Sequence, residues 1–154
     1  MRTLVYPYDE DFEAVIKYGD FIETMEIREI LSPVGWGLQN KKVGENIPIK
    51  TNINAVNWER IDALLLIDTI RTNLHINEIL EVVKLSAKFV QKIILNRDID
   101  EKSYACIEDI CSNEKVALID VRRQTQLRVS DNKQLKSIYT PVIVVAGMGE
   151  CCNK

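Results

Sequence analysis

Hydrophobic and polar positions along this chain alternate between two kinds of stretch. Residues 3–6, 25–31, 61–67, 92–95 and 116–119 are short runs rich in aliphatic side chains, the composition of strands. The third run, IDALLLI, is apolar almost throughout, which predicts a strand buried on both faces, as in a parallel sheet. Between the runs, apolar residues recur every three or four positions. Phe12, Val15 and Ile16 predict one helix, with Gly19 as its stop. Ile76, Ile79, Leu80, Val83, Ala87 and Val90 predict a second, capped by Asn73, and Tyr104, Ile107, Ile110 and Cys111 a third. Residues 32–57 read as a long connection holding a short strand at 47–49, and residues 121–139 as a polar connector. A last apolar run, Val142 to Ala146, follows Pro141 and breaks into Gly147-Met148-Gly149.

Strands alternating with helices predict an α/β fold: an open, mostly parallel sheet with helices on both faces, because parallel neighbours need right-handed crossovers. Residues 1–139 form one such domain on this reading. Residues 140–154 are then a final strand and glycine loop that begin a second, truncated domain, so the chain is expected to be the front part of a longer protein.

Size and charge narrow the function classes. A chain of 154 residues can bury a real core, and 46% apolar with 28% charged residues is an ordinary globular composition. The net charge of −3 is small and interspersed, which argues against nucleic acid or an anionic membrane as partner. There is neither a long apolar span nor a signal-peptide pattern, so a cytoplasmic location with reduced thiols at Cys106, Cys111, Cys151 and Cys152 is expected. Cys106 and Cys111, five apart on a helix, do not share a ligand face, and the lone His75 is a poor partner for Cys151 and Cys152, so no metal site is expected.

The candidate chemistry lies at strand ends. After the first strand a dinucleotide-binding domain would carry a glycine loop that cradles pyrophosphate. This chain has Asp9-Glu10-Asp11 there, which caps a helix but repels phosphate. Those acids with Asp68, at the end of the third strand, would suit a divalent cation or a receiver-type phosphorylation pocket, but the late Lys-Pro of a receiver is absent. Trp36, between Gly35 and Gly37, is placed either to stack on a ligand or to plug its loop onto the core. His75, in the first turn of the best helix, has no nearby group to orient it as a base. Gly147, Gly149 and Lys154 approach two phosphate motifs: the P-loop spacing is off by one residue and one glycine, and Cys152 replaces the third glycine of GxGxxG.

Three phrases carry a resemblance: LVYPYDED at the start, LSPVGWGLQNK from Leu31 to Lys41, and TPVIVVAGMGECCNK at the end. Together they resemble the N-terminal part of a family called peptide maturation system proteins, encoded beside small Cys-rich peptides, radical-SAM maturases and peptide exporters. The resemblance implies a Rossmann-like domain followed by a larger one with a P-loop-like start, and hence a nucleotide as a possible cofactor of the full-length protein. It implies a precursor peptide or a maturation enzyme as partner, with self-association left open, and supplies no catalytic residues. Asp9, Trp36, Asp68, Gly147, Gly149 and Lys154 are therefore the candidate ligand contacts. The expected role is a non-catalytic binding module, and the alternative a nucleotide-dependent transferase or ligase whose phosphate loop starts at Gly147.

Overall fold

A computed structural model describes residues 1–17, 25–44, 46–69, 71 and 74–124 of the protein. The aliphatic runs become the centre of the sheet. β1 (Arg2–Tyr6) pairs in parallel with β2 (Glu26–Leu31) on one side and with β5 (Ala63–Ile67) on the other. β6 (Lys92–Asn96) and β7 (Ala117–Asp120) extend the sheet beyond β5, also in parallel. The connection after β2 is not structureless: it holds β3 (Lys42–Val43), antiparallel to β4 (Ile47–Lys50), and β4 joins β2 in parallel. The order is β3-β4-β2-β1-β5-β6-β7. Without the two-residue β3, the parallel strands run 3-2-1-4-5-6 in their own sequence order, the doubly wound arrangement of the Rossmann fold.

Alternation along each strand divides the core into layers. Leu4 and Tyr6, Leu64 and Leu66, and Ile93 and Leu95 face α2 (Ile76–Ser86) and α3 (Glu101–Glu114), whose Ile79, Val83, Ile107 and Cys111 complete one cluster. Val5, Leu65 and Ile67 face the other way, toward Phe12, Met25 and Ile27. On that second side α1 (Glu13–Lys17) adds Ile16 to a cluster of Tyr8, Ile30, Trp36, Leu38 and Ile49. Helices thus cover both faces, and the described residues belong to one unit, Met1–Gln124.

The helix starts differ from expectation. His75, not Asn73, stands at the N-cap of α2, extended and without a side-chain cap bond; Asn73 lies outside the described residues, as does Gly19. α2 ends at Ser86, and Ala87 and Val90 stay buried in the turn that follows. α3 is properly capped: Asp100 accepts from the N–H groups of Lys102 and Ser103, both at 3.1 Å. Among the described residues no helix is long and apolar enough to cross a membrane.

Candidate functional site

The sheet reverses its direction of growth between β1 and β5, and in this topology the carboxyl ends of those two strands border the ligand crevice. After β1 the chain passes through a cis Tyr6-Pro7 bond. The Tyr8 N–H donates to Leu31 O at 2.9 Å, and Ser32 Oγ donates to Tyr8 O at 2.9 Å. These two bonds fix the loop to the end of β2 and turn Asp9 inward, where it is 3% exposed. Burial, with Glu13, Glu10 and Asp9 close by, pushes the Tyr8 phenol up to about 12.

Asp9 is doubly engaged. Its Oδ1 accepts from the Asp11 N–H at 3.2 Å, capping the short 3-10 turn Glu10–Phe12, and its Oδ2 accepts from the Thr69 hydroxyl. Thr69 comes from the end of β5, and its Oγ1 in turn accepts from the Arg71 N–H at 3.1 Å. The Arg71 guanidinium donates to Glu10 Oε2 at 3.0 Å and to the Trp36 carbonyl at 3.3 Å, and lies 5.0 Å from the Trp36 ring centroid. Lys41 Nζ meets the other Glu10 oxygen at 3.4 Å. Three loops, after β1, β2 and β5, are thereby tied together at one place.

Of the sequence-derived candidates, Asp9 and Asp68 both line a crevice of about 270 Å³ with Asp11, Phe12 and Thr69. Asp68 is exposed; its Oδ1 accepts from the Thr69 N–H at 3.0 Å, and its Oδ2 lies 3.5 Å from Arg122 Nη1. Trp36 is 6% exposed and packs into the core with Tyr8 and Leu38, so its ring holds the loop down beneath Arg71. His75 is exposed, at the N-cap of α2, and makes none of the bonds described above. Gly147, Gly149, Lys154, Cys151 and Cys152 lie outside the described residues, as does the boundary expected at 139/140.

Arg71 and Thr69 were not legible as site residues, because their roles depend on which loops the topology brings together. The one sequence signal was position: both closely follow the strand-terminal Asp68.

The crevice offers acceptors. Three carboxylates and an aromatic ring suit a cationic or donor-rich group, whereas a pyrophosphate would meet the Asp9 carboxylate at the helix start. Among the described residues no group of three or more His, Cys, Asp and Glu side chains is placed to hold a metal ion. Cys106 and Cys111 are free thiols; Cys111 is buried in the core, which pushes it up to about 11 and makes it inert.

Protein-family models give no match to the chain, and neither do curated protein sequences. Among solved structures, a homoserine dehydrogenase of S. aureus at pH 6.0 is similar, with a TM-score of 0.51 and 15% identity over 77% of this chain. The same enzyme at pH 7.0 gives a TM-score of 0.49 and 14% identity over 77% of this chain. The match spans 31% and 32% of those chains, less than a third of the enzyme's length. At such identity the likeness shows the fold alone: a Rossmann-like α/β domain.

Proposed function

We propose that this chain is a non-catalytic, Rossmann-like binding module of a peptide maturation system, and that the crevice between β1 and β5 receives a basic side chain or the amino terminus of a precursor peptide. One observation carries the ligand preference. The position where this topology offers open N–H groups to a phosphate is filled by Asp9, whose carboxylate already uses the Asp11 N–H and is held by Thr69. The crevice presents acidic oxygens and an aromatic face. The peptide-maturation role rests on the three resembling sequence phrases.

Thermal unfolding against a ligand panel tests this reading. A ligand at a hundred times its dissociation constant stabilises by about 2.7 kcal/mol when it binds the folded state alone. A short Lys- and Arg-containing peptide is expected to raise the melting temperature, and Asp68→Asn or Asp9→Asn to weaken that binding at least fivefold. An acidic peptide of equal length should give no rise. Equal shifts with both peptides, or turnover of a substrate by the chain alone, would sink the proposal.

The strand order supports a second reading, since 3-2-1-4-5-6 sheets hold dinucleotides at this switch point. Saturable stabilisation by NAD, ATP, GTP or S-adenosylmethionine, with or without magnesium, would favour it and move attention to the loop at Gly147.

A further inference from the structure

A second, smaller pocket opens two strands away from the acidic crevice, at the carboxyl ends of β6 and β7. Its volume is about 60 Å³, well above the roughly 10–15 Å³ that a cavity needs to admit a single water, so it has room for a small polyatomic guest. Arg97, Arg122 and Arg123 line it, together with Tyr104, Asp98 and Asp120.

Each guanidinium is engaged weakly. Arg97 Nη1 donates to Ile67 O at 3.4 Å, Arg122 Nη1 lies 3.5 Å from Asp68 Oδ2, and Arg123 Nε lies 3.4 Å from Asp120 Oδ2. Charge-assisted bonds are normally about 2.7–2.9 Å, and each guanidinium carries five N–H donors, so most of this donor capacity is unspent. Arg97 is the most telling of the three. It is only half exposed, and no carboxylate among the described residues lies at ion-pair distance from it.

The local acids do not fill the pocket. Asp120, 5% exposed, spends Oδ1 on the N–H groups of Arg122 and Arg123, both at 3.0 Å. Asp98 is exposed at the rim. Meanwhile Arg123 stacks 3.9 Å from the Tyr104 ring centroid, which orients its plane and leaves its edge donors available. The structure assigns this pocket to an oxyanion, a carboxylate or a phosphate group, bound by the Arg97 and Arg123 forks with Arg122 exchanging Asp68 for the ligand. The assignment does not rest on the peptide reading of the acidic crevice, although the two sites share the Arg122–Asp68 contact.

The test is thermal unfolding of the whole chain, titrated with sodium phosphate and separately with sodium succinate, with chloride adjusted to hold ionic strength constant. A saturable rise in melting temperature is expected with at least one of the two anions. Phosphate binding tighter than succinate assigns a phosphoryl group, and the reverse a carboxylate. Arg97→Gln should weaken the binding at least tenfold, whereas Lys88→Gln, a basic residue elsewhere on the surface, should leave it unchanged. If Arg97→Gln does not fold, Arg123→Gln takes its place with the same expectation. No saturable rise in the unaltered chain, or equal affinity in the folded arginine variant, would overturn the assignment.

Discussion

At the amino ends of the strands Arg2 and Asp62 make a closed pair: the guanidinium reaches Asp62 Oδ1 at 2.6 Å and Oδ2 at 3.2 Å, and the Arg2 N–H adds a 2.8 Å bond. At the carboxyl ends the bonds are mixed: Arg71 reaches Glu10 at 3.0 Å and Thr69 holds Asp9, whereas the guanidinium contacts of Arg97 to Ile67 O, Arg122 to Asp68 and Arg71 to the Trp36 carbonyl lie between 3.3 and 3.5 Å. Both ends tie together strands distant in sequence. The first satisfies its charges within itself, whereas the second distributes them over loops and leaves two crevices of unlike polarity. Charge at the amino ends closes on itself, and on the readings proposed above charge at the carboxyl ends is free to meet a ligand.

The largest effect should come from a change that spares neither end. Leu64 is fully buried in β5, in register with Leu4 and Ile93, so Leu64→Ala removes contacts across three strands. A loss of about 2–5 kcal/mol is expected, measured by urea unfolding, a large part of the stability of an ordinary domain. A loss under 1 kcal/mol would show that the sheet relaxes into the cavity, and the comparison of its two ends would lose its rigid frame.

Arg71→Met sharpens the contrast. It removes the ring contact and the two guanidinium bonds while keeping most of the side chain's apolar stem, and about 0.5–1 kcal/mol should be lost. Trp36 fluorescence, read in a Trp58→Phe background, should shift as its loop loosens. An unchanged spectrum would mean that core packing alone seats the indole.

The smallest effect belongs to Asp62→Asn and depends on pH. Hydrogen bonds from Arg2 lower Asp62 from 3.8 to about 2. Because the folded value is depressed, the pair's stabilisation is present in full above about pH 4 and is lost as pH falls through about 2. The difference in melting temperature between parent and variant should be constant from neutral pH to about 5 and close toward pH 2. A difference that persists at pH 2 would show that the amino end does not depend on this charge.

The sheet was legible because its strands are nearly continuous aliphatic runs. Leu64 to Ile67 can be nothing but interior, and the three-and-four spacing of α2 admits one buried face. Asp9 and Asp68 were legible because strand ends and their acids are marked in the chain. The ties that make a site of them were not: Thr69 to Asp9 spans 60 positions, and Arg71 to Trp36 spans 35. Nothing local to Arg71 distinguishes it from a solvated arginine, and the pocket of Arg97 exists only once β6 and β7 lie side by side. The connection after β2 was only partly readable, since β4 is four residues long, includes Pro48, and gains its place by pairing with β2.

One outer flank of the sheet bears on how a peptide could be recognised. β3 is two residues long, Lys42 stands opposite Pro48, and Gly44 turns the chain at φ +56, where a Cβ would come within 2.9 Å of the Ile16 side chain. A stub this short, with a charge on it and a proline behind it, offers almost no ladder for an incoming chain. A guest there cannot be zipped on as an extra strand by main-chain bonds alone. On the proposed reading, a peptide meeting this flank would be held by what its side chains carry, by charge rather than by backbone.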